Sequence, residues 1–356
     1  MWPFSFRRNP EPWEPRDRRP VNWAQLLWKN PPIVHAWPST GLPLGAVSTL
    51  GPALRERAAT FLITTAWTIE SGDGAHRLLE AMRSYRASHE RHQFVFLGNT
   101  ERETNMIADG GFEAITINQN CLLNDELFSP LPHVSPEFDA IYTARLSRDK
   151  RLELAARVDR LALVYFRNAF EHTVAEFHAE QRRLQRLMPQ ATFINRLNSN
   201  GCEWLSPESV NRVLARSRVG LCLSAEEGAM RASIEYLFAG LSVVSTPSLG
   251  GRDVYFDPEF CEIVDPDPEN VRAAVADLVA RSVPRNHVRQ ATLRRVKADR
   301  QRYIALVQRL IDRAGGSGDF ATRFHQLLRG EGIMTIRSMK EFGSLVRRRL
   351  HDVAGS

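Results

Sequence analysis

The chain has 356 residues, 43% apolar and 25% charged, which is ordinary globular composition and long enough for two domains, each with its own core. Its four cysteines, Cys121, Cys202, Cys222 and Cys261, are far apart with no C-x-x-C spacing, so they read as reduced packing residues rather than a disulfide framework or a metal site. The net charge of +6 is uneven: residues 286–356 hold 15 Lys/Arg against 6 Asp/Glu, and the remainder is slightly acidic.

Half of the 20 prolines and five of the seven tryptophans fall in the first 52 residues. Proline removes backbone donors and fixes φ, so regular structure is not expected before about Val21. This part reads as a wrapping or partner-binding segment, with tryptophans packed on the protein's own surface. It completes the first sheet or covers its edge. Trp2, Phe4 and Phe6 beside Arg7 and Arg8 also suit a membrane interface.

From Phe61 short apolar runs alternate with amphipathic stretches. Phe61–Ala66, Gln93–Leu97 and Glu113–Ile117 read as strands, and Ala75–Ser88 and Arg102–Asp109 as helices, a βαβαβ unit. Phe128–Phe138, rich in proline, reads as a hinge. A second series of strands follows at Asp139–Leu146, Leu161–Phe166, Ala191–Asn195, Val219–Ser224, Ser242–Thr246 and Cys261–Asp265. Beyond Pro284, Leu293, Val296, Ile304, Val307, Leu310 and Ile311 recur at helical spacing, so a long amphipathic helix runs to the Gly315-Gly316-Ser317-Gly318 break, with more helix after it. No segment approaches the roughly 20 apolar residues of a membrane span, and the first 20 residues hold no apolar stretch of signal-peptide length, so a cytoplasmic protein is expected.

Candidate chemistry gathers in the second series. Arg145 ends its first strand, and Lys150 stands five positions on, at the expected start of the next helix. A guanidinium and an ammonium there can stabilise the negative charge that develops on a diphosphate leaving group. Glu227 follows the strand at Val219–Ser224, and Glu235 lies in the next helical stretch, Arg231–Ala239. Open α/β sheets bind ligands at such strand-to-helix junctions. Helix N-termini favour an anion there, and carboxylates can accept bonds from hydroxyls. Taken singly, each of these charges is also what an ordinary surface or helix start carries.

Their order resembles that of the retaining GT-B glycosyltransferases of group 1, a family that includes many bacterial polysaccharide and lipopolysaccharide transferases. Ala144-Arg145-Leu146-Ser147-Arg148-Asp149-Lys150 stands for its Gly-Arg-Leu-x-x-x-Lys. Glu227-Gly228-Ala229-Met230-Arg231-Ala232-Ser233-Ile234-Glu235 stands for Glu-Gly-Phe-Gly-Leu-Pro-x-x-Glu, and Ser242–Thr246 and Gly250-Gly251 for the strand and Gly-Gly turn that follow. The likeness covers about Asp139 to Leu278. It implies an α/β fold of two Rossmann-like domains facing a cleft. It also implies metal-independent transfer of a sugar from a UDP- or GDP-sugar to a glycan or lipid-linked acceptor, in bacterial surface polysaccharide synthesis.

By the same resemblance Arg145 and Lys150 hold the diphosphate, and Glu227 with the backbone of Gly228, Ala229 and Met230 faces the donor sugar. Glu235 binds the ribose hydroxyls. Gly72 and Gly74, in Ser71-Gly72-Asp73-Gly74-Ala75-His76, match a Gly-rich loop near diphosphate and acceptor, although two glycines also simply make a turn. His76 either lines the cleft or lies on a solvated helix face. The implied layout is a Pro/Trp-rich segment at 1–57 packing on the first domain, an acceptor-side domain at 58–136, a nucleotide-sugar domain at 137–285 and basic helices at 286–356.

The resemblance is broken at Ala144 and at Met230-Arg231-Ala232, where larger side chains replace glycine or Gly-Leu-Pro. The alternative is therefore a non-catalytic nucleotide-binding or scaffold protein on the same fold. No cofactor is expected beyond the donor. Asp265-Pro266-Asp267 has the Asp-x-Asp form of a metal site, but its context reads as a helix start, with Asp267 as N-cap and Pro268 at the first helical position. The basic C-terminal region suits a solvated helix face or peripheral docking on an anionic membrane. Nucleic acid is not expected, because few aromatics are interleaved with the arginines.

Overall fold

The computed structural model describes residues 21–38, 43–169, 171–329, 333 and 336–338. The expectations for residues 1–20 and for helix beyond 338 lie outside the described residues. By internal packing the chain forms two units, one of the residues up to Asn124 with those from Lys297 onward, the other running Asp125–Val296.

In the first unit the Pro/Trp-rich region supplies regular structure. Strands β1 (Val21–Trp28) and β2 (Ile33–Trp37) pair antiparallel, and β2 continues into a parallel run with β3 (Ala59–Ile63), β4 (His92–Gly98) and β5 (Glu113–Thr116). The strand Ile336–Ser338 pairs antiparallel with β1. The prolines do not prevent this, because Pro31 and Pro32 fall in the turn between β1 and β2, where no ladder donor is needed. Helix α1 (Ala46–Leu54) leads into β3. Helices α2 (Gly74–Ser88) and α3 (Glu101–Asp109) follow β3 and β4. Helix α2 buries Ala75, Leu78, Leu79, Met82 and Tyr85, a three- and four-residue stripe, in a core with Phe61, Ile63, Phe94 and Phe96.

The second unit is a fully parallel sheet. Its strands are β6 (Phe138–Arg145), β7 (Leu161–Phe166), β8 (Thr192–Phe193), then, after a small hairpin of β9 (Leu197–Asn198) and β10 (Gly201–Cys202), β11 (Ser217–Cys222), β12 (Ser242–Ser245) and β13 (Cys261–Ile263). The six sheet strands lie in the order β8-β7-β6-β11-β12-β13. This is the doubly wound order, and it reverses direction between β6 and β11. Every residue of β7, Leu-Ala-Leu-Val-Tyr-Phe, is buried, as a strand covered on both faces requires.

The crossover helices start where their caps dictate. Helix α4 (Val174–Leu187) opens on a capping box of Thr173 and Glu176, and α5 (Pro207–Ala215) on Ser206 with Pro207 in the first turn. Helix α6 (Arg231–Phe238) is buried from Ala232 to Phe238, and no side chain caps its start. Helix α7 (Pro268–Arg281) is capped by Asp267, whose Oδ1 accepts from the N-H of Glu269 at 2.8 Å and of Asn270 at 3.3 Å. Asp267 therefore has the helix-start role read from its context.

Helix α8 (Arg285–Arg313) continues past Val296 from the second unit into the first, and α9 (Phe320–Arg329) follows it. Within the first unit, Tyr303 of α8 bonds His35 Nδ1 at 3.0 Å, and His35 Nε2 bonds Thr64 Oγ1 at 2.9 Å. Complete burial of that imidazole lowers its pKa to about 3. Among the described residues no helix is long and apolar enough to cross a membrane.

Candidate functional site

In a doubly wound sheet the strand-order reversal leaves a crevice outside the carboxyl ends of the two central strands. Here those strands are β6 and β11, and the chain leaving each carries one of the candidate charges.

After Arg145 the chain does not enter an α-helix. Arg148–Lys150 forms a 3-10 turn, Arg151 takes a left-handed backbone (φ 47), and Leu152–Ala155 forms a second 3-10 turn. The expected helix start at Lys150 is thereby corrected. The left-handed residue interrupts the helical hydrogen-bond series and turns the chain back across the strand ends. Three bonds hold this turn. The Tyr142 hydroxyl donates to the Lys150 carbonyl at 2.6 Å, Arg151 Nε to the Leu223 carbonyl at 2.6 Å, and Arg151 Nη2 to Thr246 Oγ1 at 2.7 Å. They fasten the segment after β6 to the ends of β11 and β12.

The result is that Lys150 Nζ donates directly to Glu227 Oε1, with both side chains under one-tenth exposed. The Ser224 hydroxyl donates to the same oxygen at 2.5 Å. Behind Ser224 lies Arg252, 1% exposed. Its Nη1 donates to the Ser224 carbonyl at 2.7 Å and the Ser224 hydroxyl at 3.1 Å, and its Nη2 to the Thr246 carbonyl. Lys150 is thus the cation that meets the buried Glu227 carboxylate, Arg252 reaches it through Ser224, Arg151 holds the strand ends alongside, and Asp149 lies 3.7 Å from Lys150.

The Glu227 loop is shaped by its contact with the Gly-Gly turn. Glu227 N-H donates to the Leu249 carbonyl at 3.0 Å and Gly251 N-H to the Gly228 carbonyl at 2.6 Å. Gly250 has φ 90, and a Cβ there would lie 1.8 Å from the Glu227 carbonyl oxygen, so only glycine fits. Gly228 and Ala229 are buried and Met230 is half-buried, with a left-handed φ of 41 at the N-cap of α6. No side chain caps this helix start.

Arg145 shares the Asp149 carboxylate with Lys150, and Glu235 lies within α6. Arg145 Nη2 lies 2.8 Å from Asp149 Oδ2, and Nη1 donates to Glu171 Oε1. Burial alone would raise the Asp149 pKa, but the neighbouring charges of Arg145 and Lys150 help hold the carboxyl below its usual range. Glu235, buried one turn into α6, has its pKa pushed up to about 7 by burial, against the opposing pull of Arg231. Burial also lowers Arg231, to about 10.

Gly72 (φ 61) and Gly74, the first residue of α2, belong to the other unit, where they form the turn after β3. His76 is on the exposed face of α2, 3.7 Å from Glu80. Among the described residues no group of three or more His, Cys, Asp or Glu is placed to hold a metal ion. Ser224, Tyr142, Arg151 and Arg252 were not singled out by sequence. Only Arg252 carried a signal, a charged residue directly after the Gly250-Gly251 turn.

Two α/β units, one of them a doubly wound parallel sheet, define the fold: it is that of the GT-B glycosyltransferases. The sequence itself matches no family model and no curated protein. The likeness is to solved structures. HepE of Anabaena in complex with UDP aligns over 79% of this chain and 74% of its own, at 12% identity and a TM-score of 0.50. A glycosyltransferase from Rickettsia africae ESF-5 aligns over 73% of each chain at 12% identity, also with a TM-score of 0.50. Sucrose-phosphate synthase from Thermosynechococcus elongatus aligns over 75% of this chain and 92% of its own, at 14% identity and a TM-score of 0.47.

Proposed function

We propose that this protein is a retaining, metal-independent glycosyltransferase that moves a sugar from a nucleoside diphosphate donor to a hydroxyl of a glycan or lipid-linked acceptor. The observation that carries the reading is the buried Lys150–Glu227 pair at the strand-order reversal. That arrangement sets cations for a diphosphate next to a carboxylate for sugar hydroxyls. The UDP held by HepE makes UDP-sugars the first donors to test.

In this mechanism the bond between the sugar C1 and the diphosphate oxygen breaks, and its electron pair leaves with the diphosphate. The acceptor oxygen bonds to C1 on the same face, and its proton passes to the departing phosphate oxygen. Lys150 and Arg145 stabilise the charge that grows on the leaving group, which lowers the barrier more than it tightens the ground state. Glu227 and the backbone of Gly228, Ala229 and Met230 orient the donor sugar, and Glu235 accepts from the ribose hydroxyls. No side chain is assigned as a covalent nucleophile. Cytoplasmic work on bacterial surface polysaccharide, with peripheral attachment to an anionic membrane through the basic C-terminal region, fits the charge distribution.

A panel of UDP-, GDP- and ADP-sugars, scored first by binding and then by hydrolysis or transfer, tests the reading. Hydrolysis of one donor, lost in Lys150→Ala, supports it. Failure of every nucleotide to bind ends it. One observation favours a second reading, nucleotide binding without transfer: the Arg231 charge acts on Glu235 inside α6, at the place where the family has no cation. Tight binding of nucleoside diphosphates with no turnover of any sugar donor selects that reading.

A further inference from the structure

Arg145, one of the two cations proposed for the diphosphate, is already held by carboxylates of its own unit. Its Nη1 donates to Glu171 and its Nη2 to Asp149. Glu171 comes from the loop between β7 and α4, and β7 is the parallel neighbour of β6, with Phe166 in register with Arg145. The described residues of that loop are tied together by hydrogen bonds. The N-H groups of Glu171 and His172 both donate to the Asn168 carbonyl at 3.0 Å, and Arg167 Nη1 donates to the His172 carbonyl at 3.0 Å. A carboxylate is thereby set against the guanidinium at the carboxyl end of the central strands, where an anionic ligand would bind. The Glu171 side chain is 35% exposed against 16% for Arg145, so it meets the guanidinium from the solvent side.

We infer that Glu171 is an internal counter-anion: it occupies Arg145 in the ligand-free site and yields it to a phosphate of the nucleoside diphosphate, and so sets the affinity for that group. The inference rests on the function proposed above and adds the control of affinity at the same site. A phosphate arriving at a free guanidinium gains its charge-assisted bonds in full. One arriving at a paired guanidinium gains only the difference between two anions. The same competition returns Arg145 to Glu171 when the diphosphate product departs, which favours release. No covalent bond changes in this exchange.

The test is calorimetric titration of the whole chain with UDP, GDP and ADP, using the wild type, Glu171→Gln and Glu137→Gln. Glu137 pairs with Arg216 beside the opposite end of β6 and serves as the control carboxylate. Since partly exposed ion pairs are worth little, Glu171→Gln is expected to tighten the best nucleotide by about two- to fivefold. Glu137→Gln is expected to leave it unchanged. Because screening weakens the competing pair, the gap between Glu171→Gln and wild type should narrow as salt is raised. An equal or weaker affinity in Glu171→Gln, with the wild type still binding, overturns the counter-anion role and leaves the nucleotide reading standing. If no nucleotide binds any of the three proteins, both fall.

Discussion

Lys150 and Glu227 stand 77 positions apart and meet as a buried ion pair between the segments that leave β6 and β11. Each neutralises a charge whose burial alone would be costly. Removing one partner by Lys150→Met or Glu227→Gln is expected to destabilise the second unit by about 3–5 kcal/mol, because the remaining buried charge loses its nearest counter-charge. The double variant should recover part of that loss. Urea unfolding of all four proteins measures the coupling, and strictly additive losses would show that the pair has none.

Turnover should separate from stability in the same position. With a competent donor, Lys150→Ala is expected to lower kcat by about a hundredfold or more, the scale on which loss of one charge-stabilising donor acts. Rates are compared under conditions where circular dichroism shows both proteins folded. An unchanged kcat would remove Lys150 from the leaving-group role.

Arg252→Lys tests the buried guanidinium behind Ser224. A lysine cannot reach the Ser224 carbonyl, the Ser224 hydroxyl and the Thr246 carbonyl together, as the planar fork of Arg252 does. The expected loss is about 2–4 kcal/mol of stability from carbonyls left unsatisfied in a closed interior. Thermal unfolding followed by fluorescence reads it. A variant as stable as wild type would mean that water replaces the guanidinium.

Gly250→Ala should fail for a steric reason. Its Cβ would stand 1.8 Å from the Glu227 carbonyl oxygen at φ 90, so the Gly-Gly turn must leave the Glu227 loop. Gly220→Ala is the companion, since a Cβ there would lie 2.2 Å from the Tyr236 ring that crosses β11. Both are expected to reduce soluble yield and nucleotide affinity, and a crystal structure of either with an unmoved loop would refute the account.

The two units should respond to pH with opposite signs. Glu235 has a folded pKa raised to about 7, so the folded second unit holds a proton that its unfolded chain has already lost, and stability falls as pH rises from about 4.5 to 7. His35 has a folded pKa lowered to about 3, so the unfolded first unit takes a proton that the folded one refuses. Its stability therefore falls as pH drops below about 6.5. Hydrogen exchange measured at pH 5 and pH 8 and corrected for intrinsic rates should show α6 better protected at pH 5 and β2 better protected at pH 8. Glu235→Gln should abolish the first difference and leave the second.

Local pattern carried much of the fold. The run Leu161–Phe166 is β7 residue for residue, and Asp267-Pro268-Glu269 opens α7, because burial on both faces and helix capping each act within a few residues. Other boundaries shifted by one to three positions, as at Val219–Ser224, where the strand is Ser217–Cys222. The first 57 residues were harder to read. Proline and tryptophan content suggested a segment that wraps the first domain and completes its sheet or covers its edge; β1 and β2 do join that sheet, but their ladder depends on partners at Thr60–Ile63 and Ile336–Ser338 that no local window contains. The turn after β6 was misread for a related reason. Helical composition is present from Arg148 to Ala155, and the left-handed Arg151 that divides it is held by Leu223 and Thr246, 72 and 95 positions away.

By itself the sequence determined the alternation of strands and helices, and therefore that Arg145, Lys150 and Glu227 would follow strand ends and Glu235 would lie in a helix. Periodicity and capping are short-range, and the letters carry them. Only the tertiary structure decided that β6 and β11 are neighbours across a reversal of strand order. From that adjacency come the capture of Glu227 by Lys150 and the burial of Arg252 behind it. The pairing of β6 with β7 places Glu171 on Arg145 in the same way. These are contacts between segments joined by long crossovers, and their energies depend on how the whole sheet assembles rather than on any stretch of chain.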